Sequence, residues 1–184
     1  TYPEGLYFGG QGPEPQIELL RPVISEISLA YERIMMLDLH TGYGERGKLH
    51  LFPNPMEDEE RRKLESMFDG FEIDWGDTDD FYTVTGDFAG FVGALIPHKE
   101  YYPMLIEYGT LNSQTTMGSL KSIHIMILEN QGHQHGFASI KDSLRVKGDL
   151  REMYYPQSEN WRNFSMQQTR EVLDAVLPRF TMQE

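Results

Sequence analysis

Glycine and proline crowd residues 1–16, so the chain opens as a loop; regular periodicity begins only after it. From Ile17 to Ala30 the apolar residues Leu20, Val23, Ile24, Ile27 and Ala30 recur at spacings of three and four, which predicts an amphipathic helix. Glu18, Arg21, Glu26 and Glu32 fall on its polar side. Ile34-Met35-Met36-Leu37-Asp38-Leu39 is too short for a buried helix and is stopped by His40-Thr41-Gly42, the pattern of an interior strand. Asn54 as a cap, Pro55 preset for a first turn and Glu57 at the third position after the cap predict a helix from Glu57 to about Phe68.

Aromatics alternate with aspartates over 71–87, which reads as strand and loop. A second short apolar run, Pro103-Met104-Leu105-Ile106-Glu107, predicts another strand ending on a charge before Tyr108-Gly109-Thr110. Helices are expected over 115–130, over 138–145, and from a Ser158 cap through Trp161, Phe164, Val172 and Leu177. No repeat, low-complexity tract or interdomain linker interrupts this order. Short strands alternating with helices place the chain in the α/β class, a mixed sheet flanked by helices in one domain over 1–184.

Composition narrows the chemistry. With 184 residues and 39% hydrophobic content, the chain suits one domain with a buried core. Its formal charge of −13 repels phosphate backbones and anionic lipid surfaces, so neither nucleic acid nor membrane is an expected partner. The absence of cysteine removes disulfides, thiolate metal sites and thiol nucleophiles, leaving His, Asp and Glu as the metal donors. No apolar run approaches a membrane span and no charged-then-apolar signal opens the chain, so a cytoplasmic protein is expected.

Two residues at strand ends draw the eye, because open α/β sheets bind ligands beyond the carboxyl ends of their strands. His40 offers an imidazole for zinc, and Asp38, two residues earlier on the same side of the pleat, can orient it by accepting a hydrogen bond. Glu107 is a carboxylate placed to take a proton from an activated water. The pattern alone leaves both open between these roles and satisfied structural residues. Tyr43 and Arg46, in the loop after His40, are candidates for contact with a substrate carboxylate or a tetrahedral oxyanion.

Other groups carry bland readings beside sharper ones. His133 and His135 flank Gln134 between two glycines, either a metal-chelating pair or a polar helix-to-loop junction. His124 among Ile123, Ile125 and Ile127 reads as a core histidine, and His50 and His98 have no partners near them in sequence. Asp74, Asp77, Asp79 and Asp80 form an acidic patch, but the sixth and twelfth positions of a calcium loop would fall on Asp79 and Thr85, so a solvated loop fits better. Ser119 and Ser122 lack a Gly-x-Ser-x-Gly elbow.

Leu37-Asp38-Leu39-His40-Thr41-Gly42-Tyr43-Gly44 resembles the third-ligand motif of an uncharacterised bacterial group of zinc metallopeptidase-like proteins, relatives of carboxypeptidase A and of succinylglutamate desuccinylase and aspartoacylase. Ile106-Glu107-Tyr108-Gly109-Thr110 resembles that group's general-base motif. Tyr2-Pro3-Glu4-Gly5-Leu6-Tyr7-Phe8-Gly9-Gly10, Gly132-His133-Gln134-His135-Gly136 and the stretch from Tyr154-Tyr155-Pro156 to Trp161 are similar to further segments of it, so the likeness runs along nearly the whole chain.

The resemblance implies a carboxypeptidase-like fold and one zinc ion bound by a His-x-x-Glu pair and a later His, the last matching His40, with Glu107 matching the base. The expected reaction is hydrolysis of an amide bond in a peptide or an N-acyl amino acid. No His-x-x-Glu occurs here, so the resemblance also implies a domain lacking its N-terminal part, and association with another copy or with a chain that completes it. A ligand-binding or partner-binding domain that keeps the fold without catalysis is the alternative.

Overall fold

The structure is a computed structural model and describes residues 2–6, 8–76 and 86–182. Its elements run α1 (Pro15–Ser28), β1 (Arg33–Gly42), β2 (Leu49–Pro53), α2 (Asp58–Met67), α3 (Phe88–Leu95), β3 (Glu100–Gly109), α4 (Thr116–His135), α5 (Ile140–Tyr154) and α6 (Glu159–Met182). The three strands form one sheet in the order β1-β3-β2. At the start of β1 and β3 the Glu100 amide donates to the Glu32 carbonyl at 3.0 Å, the register of parallel neighbours. At the end of β3 the Gly109 amide donates to the Lys48 carbonyl at 3.1 Å, just before β2 begins, so β2 runs antiparallel. The sheet is therefore mixed and the fold α/β, with β1 on an edge rather than in the interior that its apolar run predicts. Among the described residues no helix is long and apolar enough to cross a membrane.

Local chemistry accounts for the helix boundaries. Pro15 stands at the start of α1, where its fixed φ suits the first turn and its missing N–H is not needed. Asn54 does not cap α2; Glu57 does, in a reciprocal capping box with Glu60, while the Asn54 amide donates to Asp87 Oδ2 at 2.9 Å. Thr115, Ser139 and Ser158 each accept an amide from the first turn of α4, α5 and α6, from Gly118, Asp142 and Trp161. The helix expected over 115–130 continues to His135, and the short one over 138–145 continues to Tyr154. The strand-and-loop reading of 71–87 meets no named strand; Ile73 makes one isolated bridge to Leu51, and residues 77–85 lie outside the described ones.

Contacts divide the chain into two compact units. One comprises Pro13–His40, His50–Ile106 and Gln168–Glu184. Its core holds Leu51, Leu64, Met67, Phe68, Met104, Ile106, Val172 and Val176, all fully buried or nearly so. Each such side chain contributes about 1.5–3 kcal/mol. Here α1 packs on α3, and Tyr101, half-buried, donates its hydroxyl to the Ala89 carbonyl at 3.0 Å. The other unit comprises Thr1–Gly12, Thr41–Leu49 and Glu107–Gln167, where α4 packs on α5 around buried Tyr108, Ile125, Val146, Met153 and Trp161. His124 lies on the exposed side of α4, not in the core, because the helix turns only Ile125 of that cluster fully inward.

Two glycines in the second unit test this packing from opposite sides. A Cβ at Gly109 would fall 1.9 Å from the Glu45 carbonyl oxygen, a backbone atom that cannot step aside. Gly148, exposed on α5, has nothing within 4 Å of that position. Gly109→Ala is expected to lower stability by about 2 kcal/mol or more, and Gly148→Ala to raise it by about 0.5–1 kcal/mol. Urea unfolding of both variants checks the pair; equal effects would sink the close-packing account.

Burial, then the negative charges of Asp87 and Asp38, hold the Tyr101 phenol above its ordinary range near 10. The unfolded chain releases this proton at lower pH than the native one, so stability is full below about pH 10 and falls as pH rises through the native value. Tyr101→Phe should flatten the alkaline loss of stability relative to wild type in chemical unfolding above pH 10; an unchanged slope would rule out Tyr101 as its source.

Candidate functional site

His40 belongs to the first unit described above and Glu107 to the second, and each is placed by its own surroundings. His40 is the eighth residue of β1, two short of its end, with its side chain 46% exposed. Its Nε2 lies 3.0 Å from Asp38 Oδ1, the spacing that a two-residue strand period gives to side chains on one face. A proton on Nε2 donated to Asp38 leaves Nδ1 as the lone-pair nitrogen, the arrangement in which an imidazole ligates metal.

Glu107 sits in the last turn of the pleat of β3 and is 7% exposed. Burying a carboxylate is costly unless hydrogen bonds hold it. The backbone N–H of Tyr43 donates to its Oε1 at 2.9 Å. That approach is possible because Gly42 adopts φ +142°, outside the range L side chains favour. The space itself would admit a Cβ at Gly42, in ordinary contact at 3.5 Å from the Tyr154 ring and 3.8 Å from Glu107 Oε1, so the backbone conformation is what restricts this position.

The chain after Gly42 is tied to the segment that follows Glu107 at several points. The Gly44 amide donates to Ser113 Oγ at 2.8 Å, and the Arg46 amide donates to Asn112 Oδ1 at 2.7 Å. The Arg46 guanidinium donates to the Thr110 carbonyl at 2.8 Å and to Glu152 Oε1 at 3.2 Å. These bonds shape the loop around Glu107. The Tyr43 side chain is 45% exposed.

Three further residues complete this surround; the sequence reading placed them inside motifs or elements but named none of them as a site residue. Thr110, with no exposed surface, is within 2.6 Å of the Met153 carbonyl and 3.0 Å of the Gly42 carbonyl through Oγ1. Trp161 donates its indole N–H to the Gly109 carbonyl at 2.8 Å. Thr41 donates its hydroxyl to the Tyr154 carbonyl. The signal available for Thr110 was a hydroxyl directly after Gly109 at a strand end; its acceptors lie 68 and 43 residues away, beyond any local pattern.

The remaining candidates stand apart from Glu107 and His40 in their contacts. His133 and His135 are exposed on the last turn of α4, which runs through Gly132 and is closed by Gly136. His50 stacks on Phe52 at 5.9 Å in β2, and His98 is exposed. Asp74 accepts the Gly76 amide, while Asp77, Asp79 and Asp80 lie outside the described residues. The Ser122 hydroxyl donates to the Gly118 carbonyl within α4. A cavity of about 310 Å³ between Asn54, Gly90, Gly93, Pro97, Tyr101 and Pro103 is lined by none of the sequence-derived site residues.

Among the described residues no three His, Asp or Glu groups come together to hold a metal ion. A catalytic zinc needs about three protein ligands, so His40 with Asp38 fits as one ligand and its orienting partner and does not by itself make the site.

Comparison with curated proteins and with solved structures finds no match. A family model does match: that of Protein of unknown function (DUF2817), over residues 1–168 of the chain. Those residues include β1 with His40, the loop carrying Tyr43 and Arg46, β3 with Glu107, and α4 and α5 in full. The chain therefore belongs to the DUF2817 family.

Proposed function

We propose that this chain carries the general base and one metal ligand of a zinc-dependent hydrolase that cleaves an amide bond in a peptide or an N-acyl amino acid. The observation that carries the reading is the buried Glu107 carboxylate near the end of the central strand, held by the Tyr43 amide. A carboxylate kept out of bulk water and fixed by a backbone donor is suited to proton transfer with a bound reactant. The motif around His40 and the motif around Glu107, in that order, resemble the third-ligand and general-base motifs of the relatives of carboxypeptidase A, succinylglutamate desuccinylase and aspartoacylase.

Zinc, when bound, supplies Lewis acidity at the scissile carbonyl and brings the pKa of water toward about 7. His40 is the ligand from this chain, with Asp38 fixing its tautomer. The remaining ligands come from another segment of a longer protein or from a partner chain. Glu107 takes a proton from the attacking water and delivers it to the departing amine. Tyr43, exposed beside it, contacts the substrate; Arg46, occupied by Thr110 and Glu152, holds the loop that presents Tyr43.

A second reading is favoured by the absence of His-x-x-Glu from the sequence: a domain that keeps this fold and binds a ligand or partner without catalysis. Two measurements on the full-length protein after dialysis against zinc separate them, metal content by elemental mass spectrometry and amine release from a panel of peptides and N-acyl amino acids. In the enzyme reading His40→Ala loses zinc, whereas Glu107→Gln keeps it and loses turnover by about 10²–10⁴-fold. Unchanged turnover in Glu107→Gln removes Glu107 as base. A protein that retains no zinc and releases no amine belongs to the second reading.

A further inference from the structure

The amide that holds Glu107 and the carbonyl that touches Thr110 are two ends of one peptide group. The bond between Gly42 and Tyr43 contributes the Tyr43 N–H, which donates to Glu107 Oε1 at 2.9 Å, and the Gly42 carbonyl, which lies 3.0 Å from Thr110 Oγ1. In a trans peptide these groups point in opposite directions, and no cis peptide bond occurs among the described residues. Fixing the carbonyl therefore fixes the direction of the amide. Residues 107 and 110 sit three apart on one continuous segment, so a single stretch of chain grips the Gly42–Tyr43 peptide at both ends.

We propose that Thr110 is a positioning residue for the Glu107 carboxylate, acting through the Gly42–Tyr43 peptide. Gly42, at φ +142° and without a side chain, leaves the backbone on its side of that peptide less restricted than any other residue would. The Thr110 hydroxyl removes this freedom. Its one proton faces two carbonyls, Met153 at 2.6 Å and Gly42 at 3.0 Å, a three-centre arrangement in which Met153 is the nearer acceptor and Gly42 the second, and the Met153 carbonyl is one of those that the end of α5 leaves without a helical partner. Fully buried, the hydroxyl meets no competition from solvent at this site. The functional meaning rests on the reading of Glu107 as the base; the geometry does not.

The test compares Thr110→Val, which keeps the shape and removes the hydroxyl, with Thr110→Ser, which restores it, by backbone NMR of the full-length protein. In Thr110→Val the Tyr43 amide resonance should move and its hydrogen exchange quicken by roughly tenfold, the effect of one lost hydrogen bond. Thr110→Ser should keep both near wild type. The Gly44 and Arg46 amides, bonded to Ser113 and Asn112, serve as internal references and should hold in all three proteins. An unmoved Tyr43 amide in folded Thr110→Val overturns the proposal, as do Gly44 and Arg46 amides that loosen in step with it, or a serine variant that behaves like valine. If Thr110→Val does not fold, Thr110→Ala, which also removes the hydroxyl, takes its place: a Tyr43 amide that exchanges as in wild type overturns the clamp, and one that loosens alone supports it. Should Glu107→Gln turn over normally while the amides behave as expected, the base assignment falls and the clamp stands.

Discussion

A hydroxyl with no access to water must find its partners inside the protein, and that of Thr110 finds them on two other elements. One acceptor is the carbonyl at the end of β1 and the other lies in the last turn of α5, while Thr110 itself follows β3. The same few residues of chain receive the Trp161 indole at Gly109 and the Arg46 guanidinium at the Thr110 carbonyl. Removal of a buried donor that serves an otherwise unsatisfied carbonyl costs about 1–3 kcal/mol. The exposed Arg46–Glu152 ion pair by comparison contributes about 0–1 kcal/mol, so the buried neutral bonds, not the charges, hold this unit's strand ends and helix end in register.

Glu107 benefits from that rigidity. Its carboxylate sits in the buried end of β3, and the Tyr43 backbone amide holds one of its oxygens. The price of such closeness is sequence restriction at both ends: Gly109, under the Glu45 carbonyl, leaves no space for a Cβ, and Gly42 holds a positive φ that L side chains rarely adopt. His40 shows the contrasting design. It is exposed near the end of an edge strand and is oriented by Asp38 two residues away, a pairing that follows from strand geometry. An exposed side chain can be oriented by local geometry, while a buried carboxylate needs a tertiary frame around it.

Some of the fold was legible because its causes are local. The three-and-four spacing of α1, the Ser158 cap of α6 and the apolar runs of β1 and β3 act within one element and read directly. β2 escaped because five residues give too short an alternation, with Leu51 and Phe52 both buried next to each other. α3 escaped because Phe88–Leu95 carries two glycines and no polar stripe, although Asp87 accepting the Gly90 amide was a cap that could have announced it. α4 and α5 ran longer than expected since Gly132 and Gly148 look like helix ends and are interior positions instead. Asn54 had the features of a cap, but Asp87 from another segment took its side chain.

By itself, then, the sequence determined what nearest neighbours determine: helices from apolar period and caps, strands from short apolar runs, the Asp38–His40 pairing from a two-residue pleat, and the placing of His40 and Glu107 near strand ends. Only the tertiary structure decided that β1 is an edge, that His124 faces outward, that Arg46 spends its guanidinium on the backbone of the next segment, and that the Gly42–Tyr43 peptide is gripped between Glu107 and Thr110. The physical reason is range. Propensity and periodicity act over a turn or a pleat, whereas the partner of a buried polar group is chosen by whichever donor or acceptor packing brings to it, here from 64 and 68 residues away.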